Sequence, residues 1–166
     1  MDHSLRMKNI YRKIKEEGDE KFFWYLGYPC AILRPCSDRK HLCGYVGVPK
    51  DHPIYGLPPY IQAFENYFHV HGGLNYYRFD LPPKAYTENP SKDFWFFGFS
   101  CTHEGDIVPL NEDCSNCGDE FLERPIRHGD SYKDMKFVEK EVRKLAHQLK
   151  QIENELELKL VLFEGD

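Results

Sequence analysis

Residues 94–106 have the sequence Phe-Trp-Phe-Phe-Gly-Phe-Ser-Cys-Thr-His-Glu-Gly-Asp, and they decide both the fold and the place of its chemistry. The first half is almost wholly aromatic, which is typical of a strand that is covered on both faces. The second half carries a thiol, an imidazole and two carboxylates. Loops that follow buried strands commonly carry binding and catalytic groups. The stretch therefore predicts a central strand, residues 94–101, that ends in a functional loop.

A second polar cluster, His-Val-His-Gly-Gly at residues 69–73, ends another aromatic stretch and predicts a strand over residues 64–71. Residues two apart in a strand point to the same face, so the two imidazoles would line one pocket. The glycines would expose backbone N–H groups beside them, which suits an anion or a phosphate. The alternative is one surface histidine and one hydrogen-bonded neighbour. We expect His71 and His103 to lie on one cavity wall.

The rest of the chain predicts an α+β domain: a mostly antiparallel sheet with a long C-terminal amphipathic helix packed across it. Apolar residues at spacings of three and four indicate that helix, and Asp130 or Ser131 is expected to cap it. Strands over residues 30–34 and 41–48 should form a hairpin. The predicted segments of this single domain are an N-terminal helical segment (1–26), a sheet and motif region (27–110), a cysteine-containing loop (111–130), the long helix (131–157) and an edge strand (158–163).

Composition restricts the classes of function. The 166 residues are enough for one core. The net charge is −5, and no long run of Lys and Arg forms a basic stripe, which disfavours binding of long nucleic acids. No segment has the roughly 18 apolar residues that would span a bilayer, and the N-terminus lacks the apolar core of a signal peptide. We therefore expect a cytoplasmic protein without a membrane partner, in which the six cysteines are thiols or metal ligands.

The spacing of cysteine and histidine permits a metal. Cys114 and Cys117 have the spacing of a zinc knuckle, and Cys101 and His103 would supply the other two ligands of a structural zinc site. The alternative is reduced thiols in a polar loop. A catalytic divalent metal held by the histidines at 69, 71 and 103 together with Asp106 is a further, less favoured hypothesis.

If the protein is an enzyme, the candidate catalytic residues are His71, His103 and Asp106. Asp106 would orient the imidazole of His103, which would act as a general base or donate a hydrogen bond to a phosphate oxygen. Alternatively, Asp106 caps a turn while His103 packs at the edge of the core. A nucleophilic thiol paired with a histidine, Cys43 with His71 or Cys101 with His103, is disfavoured because cysteines beside apolar strands are usually buried.

Aromatic side chains near the two clusters suit stacking on a nucleobase, although core packing is the alternative for each ring. The residues predicted to bind the ligand are Tyr45, His69, His71, Gly72, Gly73, Tyr76, Trp95, His103 and Asp106.

Three ordered motifs are similar to those of an uncharacterised family of small phage and prophage proteins. They are Cys-Gly-Tyr-Val-Gly-Val-Pro at residues 43–49, His-Gly-Gly-Leu-Asn-Tyr at 71–76 and the segment 95–106. The chain departs from the family pattern at Asn75, Ser100, Thr102 and Glu104, and in its Cys114/Cys117 insertion. The resemblance implies a phage-encoded protein and no particular activity.

The leading hypothesis is a phage-encoded protein that binds a small anionic, nucleotide-like ligand and sequesters a nucleotide-type immune signal of the host. The first alternative is a hydrolase or phosphodiesterase that acts on a cyclic nucleotide with the same histidines and aspartate. The second is a protein–protein adaptor or inhibitor. The apolar stripe of the long helix also permits a homodimer.

Overall fold

The computed structural model describes residues 3–35, 38–60, 67–81, 93–111 and 125–164, apart from the side chains of residues 3 and 156–164. In chain order the elements are α1 (His3–Glu17), β1 (Glu20–Tyr25), β2 (Tyr28–Leu33), β3 (Cys43–Pro49), β4 (Tyr76–Arg78), β5 (Phe94–Ser100) and α2 (Met135–Glu164). The strands form one antiparallel sheet in the order β1-β2-β3-β5-β4. This confirms the predicted α+β class, while the single-domain organisation stays a prediction.

The N-terminal helical segment is shorter than predicted. The helix α1 ends at Glu17, and the chain then forms the hairpin β1–β2. Its two-residue loop has a positive φ at both Leu26 (54°) and Gly27 (82°), which matches the twist of antiparallel strands. A helix through residue 26 is wrong because the aromatic residues 22–25 favour a strand.

The predicted strands at 30–34, 41–48 and 94–101 correspond to β2, β3 and β5, and the β2–β3 hairpin is confirmed. The strand expected over 64–71 is wrong for residues 67–71; residues 61–66 lie outside the described part. The side chain of Gln148 bonds both the N–H and the C=O of His69, at 3.2 Å each. The backbone here is therefore satisfied by α2 and by a turn instead of by a neighbouring strand.

The long helix α2 begins and ends later than predicted. Its cap is Asp134, whose Oδ1 accepts the N–H of Phe137 at 2.9 Å, whereas Asp130 accepts the N–H of Arg127 in a preceding turn. The predicted edge strand at 158–163 is wrong, because α2 continues to Glu164. Leu, Glu and Lys favour helix, and neither Gly nor Pro interrupts this segment before residue 165.

The main core lies between α2 and the sheet, chiefly β2 and β3. The predicted apolar stripe is confirmed over its described part: Val138, Val142, Leu145, Leu149 and Ile152 are buried. This stripe packs within the chain, so it lends no support to a homodimer through α2. A second cluster covers the other face of the sheet and includes Tyr45, and α1 forms a third cluster with Ile107.

Candidate functional site: a buried carboxylate with an imidazole partner

The loop after β5 is held by backbone pairing with the segment that precedes α2. The N–H of Asp106 donates to the C=O of His103 at 2.9 Å, which closes a tight turn. Ser131 then donates to the C=O of Gly105 and accepts from the N–H of Ile107, each at 2.9 Å. This pairing places the Asp106 side chain in the interior, where it is 0% exposed.

Side-chain and backbone donors surround the Asp106 carboxylate. His71 Nε2 lies 2.9 Å from Oδ1 and 2.8 Å from Oδ2. The backbone N–H of His103 donates to Oδ2 at 2.9 Å, and Lys133 Nζ lies 3.2 Å from Oδ1. A buried carboxylate needs such compensation, because an unpaired charge in the interior costs several kcal/mol.

His71 connects this buried carboxylate to the surface, since its side chain is 18% exposed. An ionised carboxylate is only an acceptor, so Asp106 selects the tautomer with hydrogen on Nε2. Nδ1 then faces away from the carboxylate, and it has no hydrogen-bond partner among the residues that the structure describes. This nitrogen is available to a ligand or to a proton.

The His103 ring lies beside His71, with ring centroids 5.8 Å apart, so the structure brings the two predicted histidines together. The role predicted for Asp106 needs correction, however, because the imidazole at hydrogen-bond distance from its carboxylate is that of His71, while His103 donates its backbone N–H. Gly72 lies against the His103 ring. A Cβ at Gly72 would come within 1.9 Å of His103 Cδ2.

Several predicted site residues lie elsewhere. The strand that would have put His69 and His71 on one face is not formed. His69 is exposed, and its backbone is bound to the side chain of Gln148 on α2. Tyr45 and Tyr76 contact each other, with centroids 5.0 Å apart, in the cluster on the sheet face opposite α2. They therefore form no stacking platform with His71.

Trp95 is also separate from the site. It lies near the start of β5, whereas the site follows the end of that strand, and its Nε1–H donates to the C=O of Leu57 at 3.0 Å. The aromatic ring that does contact His71 is Phe137, in a perpendicular arrangement with centroids 5.1 Å apart.

Sequence reasoning missed Phe137 and Lys133 as site residues. Phe137 is one of the apolar residues of the predicted helix, and that pattern by itself indicates core packing. Lys133 is held in place by Ser131 Oγ at 2.6 Å and the C=O of Gly105 at 3.2 Å, besides Asp106. The sequence placed Lys133 in the first turn of the predicted helix, and nothing in that pattern indicated a partner for it.

The described residues contain no group of three or more His, Cys, Asp and Glu side chains that could hold a metal ion. The four-residue divalent-metal site is therefore not formed among them. Cys114 and Cys117 lie outside the described residues, so structural zinc stays a prediction. Burial, followed by the nearby Asp106 and Cys43, raises the pKa of the Cys101 thiol, which opposes nucleophilic thiol chemistry.

Three polar side chains at the end of β5 contact one another. Asn75 Nδ2 donates to Ser100 Oγ at 2.8 Å, and Ser100 Oγ lies 2.9 Å from Thr102 Oγ1. A short chain of neutral hydrogen bonds therefore occupies this end of the strand.

Fold and site together define an α+β protein with a buried carboxylate–imidazole pair at the end of an inner strand. Comparisons with protein-family models, with curated proteins and with solved structures find no match to the chain. Within the described ranges, neither helix has the length and apolar character needed to cross a bilayer.

Proposed function

We propose that the protein binds a small anionic, nucleotide-like ligand at the exposed side of His71. The observation that supports this proposal is the Asp106–His71 pair, which holds one imidazole nitrogen inward and leaves Nδ1 outward. When His71 is protonated, Nδ1–H becomes a charged donor, and charge-assisted hydrogen bonds to phosphate or carboxylate oxygens are the strong ones. Lys133 balances Asp106, so the added proton gives the site a positive charge.

The geometry supports a hydrogen bond from His71 to the anionic group of this ligand better than it supports stacking of a ring on the base. Phe137 is the ring in contact with His71, and it is partly buried against the core. Phage origin and the sequestration of a nucleotide-type immune signal of the host belong to the same proposal and rest on the sequence resemblance.

Replacement of His71 by alanine tests the proposal. Loss of one charge-assisted hydrogen bond costs about 1.5–3 kcal/mol, so we expect His71→Ala to weaken binding at least roughly tenfold. The matched control is His69→Ala, because the His69 side chain lies outside the site; it should bind within about twofold of the wild type. The measurement is isothermal titration with compounds selected by thermal shift from inorganic phosphate and mono-, di- and cyclic nucleotides. The proposal fails if no compound shifts the melting temperature, or if both variants weaken binding equally.

Hydrolysis of a nucleotide ester is the second candidate, and the same pair favours it. With Nε2–H held by Asp106, Nδ1 of neutral His71 is a lone-pair base that can accept a proton from water, while the carboxylate stabilises the imidazolium that forms. Turnover separates the two functions, because a binding protein returns its ligand intact. Incubation with linear and cyclic nucleotides, followed by chromatography, should yield product that disappears in Asp106→Asn if the protein is an enzyme.

A further inference from the structure

A buried arginine, Arg34, contacts Tyr132 in the segment that supports the site. The Arg34 side chain is 1% exposed, and its guanidinium contacts groups from α1, from the loop after β2 and from the segment before α2. Arginine is suited to such a position because its planar group has five donors. Its partners are Glu17 Oε1 (3.1 Å), the C=O of Gly18 (2.9 Å), Asp19 Oδ1 (3.0 Å), the C=O of Lys40 (2.5 Å) and Tyr132 Oη (2.7 Å).

Glu17 extends this network to the start of α2. Its Oε1 accepts the Tyr132 hydroxyl at 2.5 Å, and its Oε2 accepts the N–H of Met135 at 3.0 Å. Burial raises the pKa of Tyr132, so the hydroxyl keeps its proton and donates to the carboxylate. One side chain at the end of α1 thereby holds both Tyr132 and the first residue of α2.

Tyr132 lies between the two residues that support Asp106. Ser131 pairs with the backbone on both sides of Asp106, and Lys133 contacts the carboxylate itself. We infer that Tyr132 is a positioning residue for the His71–Asp106 pair, and that Arg34 and Glu17 hold it in place. The inference rests on the proposed function only in that His71 is the ligand-contacting group.

Tyr132 can position the pair because it is the direct neighbour of Ser131 and Lys133, the two residues that support Asp106. The aromatic ring of Tyr132 packs with α1, and its hydroxyl fixes the backbone of residues 131–133. If that hydroxyl is removed, the segment loses its connection to Arg34 and Glu17 and gains freedom, which weakens the contact between Lys133 and Asp106. The carboxylate then depends more on the loop after β5 and on His71.

The variant Tyr132→Phe tests the inference, with Tyr11→Phe as its matched control. Both tyrosines pack on the cluster formed by α1, and each donates its hydroxyl hydrogen to a partly buried acceptor. The acceptor of the Tyr11 hydroxyl is the C=O of Leu110, at 2.5 Å. Loss of the hydroxyl should lower the melting temperature by about 3 °C in Tyr11→Phe and by more in Tyr132→Phe, because Tyr132 Oη bonds both Arg34 and Glu17. In Tyr132→Phe alone, we expect the NMR resonance of His71 Nε2–H to shift and broaden, and the amides of His103 and Ile107 to exchange roughly tenfold faster.

The inference is overturned if Tyr132→Phe melts like Tyr11→Phe while the His71 resonance and these two amides stay as in the wild type. Glu17→Gln is a second test that keeps size and shape, and it should change the same resonance in the same direction. Both measurements use the ligand-free protein. Failure of the wild type to bind any phosphate compound would therefore count against the proposed function and leave the positioning result standing.

Discussion

At the residue scale, the site depends on a glycine with a left-handed backbone conformation, which residues with a side chain rarely adopt. Gly72 has φ +68°, and the His103 ring occupies the space where a side chain would begin. Gly73 also has a positive φ, +80°, but a Cβ there would meet nothing within 4 Å. The two neighbours therefore separate the cost of the backbone conformation from the cost of the close contact with His103.

We predict that Gly72→Ala is markedly more destabilising than Gly73→Ala. A left-handed alanine costs about 1–2 kcal/mol, which is the whole effect expected at Gly73. At Gly72 the clash with the His103 ring adds roughly 1–3 kcal/mol. Urea denaturation of the two variants measures the difference. Equal losses would show that His103 moves away at no cost, and would contradict the packing described for the site.

At the scale of elements, helix ends decide how the site is assembled. Asp134 caps α2 through the N–H of Phe137, and its other oxygen lies 2.6 Å from Lys13 Nζ on α1. The first turn of α2 also supplies Phe137, which contacts His71. The cap of α2 is therefore connected both to α1 and to the site.

Removal of the cap should loosen the first turn of α2 and disturb the Phe137 contact. We expect Asp134→Ala to lower the free energy of unfolding by about 1 kcal/mol, the usual cost of a lost N-cap. Backbone amides of residues 135–138 should exchange faster than in the wild type. Asp130→Ala is the control, because Asp130 accepts from Arg127 in the preceding turn and should leave these amides unchanged. A larger effect at Asp130 would assign the cap to that residue.

At the scale of the whole molecule, two buried histidines outside the site make stability depend on pH. Burial, with some help from Arg39 and Arg34, lowers the pKa of His41 to about 4, and burial also lowers the pKa of His52. The hydrogen bonds of His52 are those of a neutral imidazole. Its Nδ1 accepts the N–H of Ile54 at 3.2 Å, and its Nε2 donates to the C=O of Leu149 at 2.9 Å. Within the described residues, His41 Nδ1 is buried and has no hydrogen-bond partner.

Both folded-state pKa values lie below the unfolded value of about 6.5, so the unfolded chain binds more protons under mildly acidic conditions. Stability is therefore complete above pH 6.5 and falls as the pH is lowered towards 4. With a folded pKa of about 4, His41 alone should account for about 2 kcal/mol between pH 6.5 and 5.0. Urea unfolding across this range measures the loss, and His41→Leu should reduce it. A flat profile for the wild type would contradict the prediction.

The sequence by itself determined the class of the fold, the inner strand β5 and the buried stripe of α2. These features follow from local periodicity and from the apolar character of neighbouring residues. It also predicted that His71 and His103 lie together, and their rings are neighbours. The hairpin β1–β2 was missed because its charged and apolar residues also fit the end of a helix.

Only the tertiary structure decided which groups meet. The Asp106 carboxylate pairs with the imidazole of His71, 35 positions away, and accepts the backbone N–H of its neighbour His103. Lys133 and Phe137 complete the site from the segment before α2 and from its first turn, while Tyr45 and Tyr76 lie on the opposite sheet face. The physical reason is that such contacts depend on strand register, turn geometry and the docking of α2, and none of these is encoded in the residues next to Asp106.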